Sequence, residues 1–78
     1  MQIKDQLLLK NIGFRIRKIR KKRNLSQVQL AVLIDNHAEQ IGRIERGKLN
    51  VTICTLQLIA KGLNTNIINL LGVEEPFY

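Results

Sequence analysis

Residues 25–47, LSQVQLAVLIDNHAEQIGRIERG, decide the fold. Ser26 followed three residues later by Gln29 is a capping box: each side chain accepts the other residue's backbone N–H, which fixes a helix start. Leu25 before the cap and Leu30 beyond it are spaced as a hydrophobic staple. Leu30, Ala31, Leu33 and Ile34 predict a short helix over Gln27–Ile34 with those four side chains facing inward. Asp35 and Asn36 tolerate positive φ better than other non-glycine residues, so a tight turn fits after it. A second short helix, Ala38–Arg46, turns Ile41 and Ile44 inward, with Ala38 at the margin and Gly47 as its stop.

Working outward, Leu8, Leu9, Ile12, Ile16 and Ile19 recur at three- and four-residue steps and predict an amphipathic helix upstream. Arg20 falls on the flank of that stripe, where partial burial would require an anion beside it. Asn24 can end this helix in the left-handed conformation. Downstream, Thr52 caps a fourth helix whose stripe is Ile53, Leu56, Ile59, Ala60 and Leu63, ended by Asn64. Asn66 caps a last helix with Ile67, Leu70 and Leu71, closed by Gly72. No window alternates long enough for a strand. The expectation is an all-α, five-helix domain spanning 1–78, with 1–7 as an N-terminal extension and 73–78 as a tail.

Composition narrows the function. Thirteen Lys and Arg against six Asp and Glu give a net charge of +7, and nine of the cations precede Leu25. That excess points to an anionic partner, although such a block is also what a solvated helix face carries. One His and one Cys cannot assemble a tetrahedral zinc site or a Cys/His framework. Without a glycine-rich phosphate loop or a credible acid pair, no catalytic residue, metal or cofactor is expected. The longest apolar run, Leu30 to Ile34, is far below the ~20 residues a bilayer span needs, and no secretory signal is evident. A cytoplasmic location is expected.

Two short helices joined by a tight turn suggest a helix-turn-helix, in which the second helix keeps one face free for a DNA major groove. That face would carry Glu39, Gln40, Arg43 and Arg46, three or four residues apart. Arg can bond guanine N7 and O6, Gln can pair with adenine, and Glu can accept from cytosine N4. An ordinary solvated helix face has the same spacing, so the ridge alone leaves both readings open.

The blocks Leu25-Ser26-Gln27, Leu30-Ala31 and Ile41-Gly42-Arg43-Ile44-Glu45-Arg46-Gly47 stand in register with downstream TLQLIAKGL. Together they resemble the phage repressor/Cro type, the xenobiotic-response-element-like helix-turn-helix family, over about Leu9 to Leu71. The resemblance implies a lambda-repressor-like domain that binds operator DNA as a homodimer and regulates transcription. By position it puts Ala38, Glu39, Gln40 and Arg43 at base-reading sites. It puts Gln27, His37, Arg46, Lys48 and Asn50 along the phosphates, and makes Arg20 and Glu45 an internal ion pair. Three positions depart from the family: Asp35 stands at a turn often held by glycine, Asn36 where an apolar residue is common, and His37 where Ser or Thr often caps the helix.

Leu58 and Ile68 lie off the core stripes of the last two helices, and are expected at a two-fold interface. Cys54 also lies off the stripe and is expected to be inert surface or interface filler. Val28, Val32 and Phe14 are off-core without an assigned role, and for the acidic, aromatic tail Val73–Tyr78 three readings stay open: it folds back, joins the interface or frays. The chain also looks like the controller proteins of restriction–modification systems, which autoregulate as dimers; a prophage Cro-like repressor has nearly the same pattern. Outside this class, two alternatives are a basic amphipathic module for a membrane surface and an antitoxin-type protein-interaction module. No small-molecule ligand is expected.

Overall fold

Asp5 opens the first helix by accepting the Leu8 N–H at 2.9 Å, so α1 (Gln6–Lys22) starts inside the stretch assigned to an extension. The computed structural model describes residues 5–72, and the tail 73–78 lies outside them. Four further helices follow: α2 (Gln27–Leu33), α3 (Ala38–Glu45), α4 (Ile53–Gly62) and α5 (Ile67–Leu71). The described residues contain no strand.

Four of the five starts are made by a short polar side chain. Ser26 and Gln29 form the reciprocal capping box, Thr52 accepts from the Thr55 N–H, and Asn66 accepts from the Asn69 N–H. His37 sits at the cap of α3 with no side-chain cap bond. The corners are left-handed at Asn24, Asp35 and Asn64, with φ of 60°, 54° and 56°. An L side chain at such a φ costs more than glycine does. Asp35→Gly is therefore expected to raise stability by about 0.5–1 kcal/mol, read as a higher melting temperature; an unchanged or lower value would show that its φ is not strained.

The core joins Ile12 and Ile16 of α1 to Leu30, Ala31 and Ile34, Ile41 and Ile44, Leu56, Ile59, Ala60 and Leu63, and Leu70. Three residues expected inside are on the surface: Leu8, Leu33 and Ile53 are 44%, 60% and 62% exposed. Each is on the shoulder of its stripe. Helix α1 crosses the C-terminal end of α3 at Gly13, where a Cβ would stand 2.5 Å from the Glu45 carbonyl oxygen and clash with that of Ile44. That backbone-to-backbone approach fixes α3 against α1.

Candidate nucleic-acid interface

Helix α3 is held from beneath by Ile41 and Ile44, which are buried, and from the side by Glu45. The Glu45 carboxylate accepts from Arg20 Nε at 2.6 Å and from Nη2 at 3.0 Å, a two-pronged pair. Arg20 Nη1 also donates to the Leu25 carbonyl at 2.8 Å. One guanidinium thus ties together α1, the entry to α2 and the far end of α3. Glu45 Oε1 further accepts from Gln27 Nε2 at 3.1 Å.

The opposite face of α3 is open. Glu39, Arg43 and Arg46 are exposed, and the first two lie one turn apart. Gln40, expected on this ridge, is half buried and turned toward Ile44, because it is about 60° around the helix from Arg43. Ala38, expected among the base-reading positions, is half buried and packs against the core. Gln27, expected on the phosphates, is half buried and gives its amide to Glu45. Its side chain and that of Arg46 converge over Gly42, where a Cβ would stand 3.4 Å from Gln27 Oε1 and 3.2 Å from Arg46 Nη1.

The chain leaves α3 through Gly47 at φ 72°, and the Lys48 N–H closes the turn on the Arg43 carbonyl at 2.9 Å. This turn keeps Lys48 beside the open face of α3, and Asn50 follows two residues on; both are exposed, as is His37 at the other end of α3. A strip of cations and amides therefore brackets Glu39 and Arg43. A helix-turn-helix model matches residues 16–70. The chain belongs to the helix-turn-helix family.

Among relatives of this helix-turn-helix protein, control protein C.SmaI of Serratia marcescens is 44% identical over 71 residues, covering 91% of this chain and 79% of the relative. The restriction-modification controller protein C.AhdI from Aeromonas hydrophila superposes with a TM-score of 0.78 at 32% identity, covering 80% of this chain and 94% of that one. The controller protein C.Esp1396I, solved as a tetramer with its natural 35-base-pair operator, also gives 0.78, at 35% identity and 85% and 87% coverage.

Leu58 and Ile68, off the core as read from the sequence, are 45% and 57% exposed on the packed pair α4 and α5, and Cys54 is exposed one turn before Leu58. Val28, Val32 and Phe14 are also on the surface, at 60%, 74% and 63%. The stripe of α1 is committed to the core through Leu9, Ile12 and Ile16, which removes the surface that a membrane-binding amphipathic helix would use. Among the described residues no helix is long and apolar enough to cross a membrane.

Proposed function

We propose that this helix-turn-helix regulator binds a near-palindromic DNA operator as a homodimer and controls transcription, its own included, in the manner of a restriction–modification controller. The observation that carries the reading is the open face of α3, with Glu39 and Arg43 exposed one turn apart on a helix fixed from three sides. The controller relatives, one of them solved on its operator, support DNA as the ligand. In this reading Arg43 and Glu39 meet base edges. Arg46, Lys48, Asn50 and His37 meet phosphates. Leu58 and Ile68 meet their copies across a two-fold axis, which would set the two α3 helices about 34–36 Å apart in successive major grooves. The reading includes no reaction, and its place of action is the cytoplasm.

Selection of bound sites from randomised duplexes tests it directly. An enriched two-fold symmetric site with half-sites one helical turn apart is expected, and a pool that stays random would sink the proposal. On the selected site, Arg43→Ala should cost about 1–3 kcal/mol and relax one base position, whereas Lys48→Ala should weaken all sequences alike. An equal loss on operator and random DNA for Arg43→Ala would overturn the assigned division between bases and phosphates.

A further inference from the structure

Gly47 is buried because α1 lies on it: a Cβ there would stand 2.9 Å from Lys10 Cγ and 3.0 Å from the Lys10 nitrogen and Cα. The residues on either side of Gly47, Arg46 and Lys48, are exposed, and so is Lys10 itself. Three cations from two distant segments therefore share one backbone turn. Among the described residues the ion pair joins Arg20 to Glu45, and none of these three cations takes part in it. The acids around them are engaged or distant. Glu45 accepts from Arg20 and Gln27, Asp5 caps the Leu8 N–H, and Glu39 is in the first turn of α3, at its other end. Like charges gathered this way repel one another, and an anion set among them removes the repulsion.

We propose that Lys10 is a further phosphate contact, carried by α1 rather than by the pair of short helices, and that it grips the DNA backbone beside Arg46 and Lys48. The proposal rests on the operator reading above and extends that site to a residue of the first helix. The turn that carries Lys48 past α3 is the turn on which Lys10 is seated. A duplex lying on the open face of α3 brings its backbone across both. Gly47 makes this possible, since any side chain there would lift α1 from the turn and carry Lys10 away. An ammonium on a flexible stem suits a phosphate oxygen and carries no base preference, so the contact is blind to sequence. A cation near the end of α3 also favours that helix's last carbonyls, but such a role acts on stability and not on DNA.

Three variants separate these roles. Lys10→Gln removes the charge, Lys10→Arg keeps it, and Lys61→Gln removes one charge from the exposed last turn of α4. Each is melted, and each is titrated against the selected duplex and a random one over a range of salt. Lys10→Gln is expected to bind both duplexes roughly three- to ten-fold more weakly, with a slope of log affinity against log salt smaller by about 0.9, the share of one phosphate. Its melting temperature and its preference among base pairs are expected to match those of the parent chain. Lys10→Arg should keep affinity and slope, and Lys61→Gln should leave the slope unchanged. A parental slope in Lys10→Gln overturns the proposal, as does a loss confined to the selected duplex. A lower melting temperature with that parental slope gives Lys10 to the end of α3 instead. An equal change in Lys61→Gln makes net charge the cause, and overturns it too. A parent chain that prefers no duplex over any other overturns the operator reading itself, and the proposal with it.

Discussion

Glu45→Ala is expected to destabilise the fold by about 3–5 kcal/mol, the loss found when one partner of a buried ion pair is removed. Chains of this length are stable by only roughly 4–12 kcal/mol, so the loss would take a third or more of the total, and at the low end of that range much of the population would be unfolded. The size follows from what is left behind. Arg20 is 7% exposed and loses both carboxylate bonds, keeping the Leu25 carbonyl as its remaining acceptor, while Gln27 loses the acceptor for its amide. The double variant Arg20→Met, Glu45→Leu should recover most of the loss, because two apolar side chains leave no charge uncompensated. Chemical denaturation of the two variants checks this. If Glu45→Ala melts within a degree or two of the parent chain, the pair is solvated and contributes little.

Gly13→Ala gives the second large effect, and its sign makes it diagnostic. In an open helix interior, alanine in place of glycine stabilises by about 1 kcal/mol. Here the added methyl would meet the Ile44 carbonyl oxygen and stand 2.5 Å and 2.7 Å from the carbonyl oxygen and carbon of Glu45. These are backbone atoms and cannot rotate aside. Helix α1 and the end of α3 must separate, at a cost of about 3 kcal/mol or more, at the upper end of overpacking effects. Whatever remains folded carries α3 at a changed tilt, so operator affinity should fall further than the unfolded fraction explains. Asn11→Ala, at an exposed position of the same helix, serves as the control and should be neutral or slightly stabilising. A Gly13→Ala protein as stable as the parent would mean that the helices do not approach this closely.

The helix ends were the most legible part of the sequence, because a cap is a local arrangement: Ser26 with Gln29, Thr52 and Asn66 start helices, and Asn24 and Asn64 turn the corners. The pair Arg20 and Glu45, 25 residues apart, was visible through Arg20's place on the flank of a buried stripe and through family resemblance. Shoulder residues were harder. Leu33 and Ile53 read as inward by spacing, yet spacing does not say how far the next helix extends over a short one. The half-buried places of Gln40 and Gln27 were hard to read for a related reason. A long amide at the edge of a face can lie on either side of that edge, and here neighbours contributed by distant segments, the loop before α4 and Glu45 of α3, decide which. No local pattern carries that information. The closeness of Gly13 to α3 was likewise invisible, since a glycine inside a helical pattern marks no particular neighbour.

The clamp between Arg20 and Glu45 also determines how the protein responds to ionic strength. Their side chains are 9% and 2% exposed, so mobile ions cannot enter between them, and added salt screens such a contact far less than one in open water. The cations facing a nucleic acid are in the opposite situation: each contact displaces counterions, and affinity falls steeply as salt rises. Raising salt should therefore strip the protein from its duplex while the recognition helix keeps its orientation. The slope of log affinity against log salt then counts phosphate contacts alone, uncontaminated by unfolding.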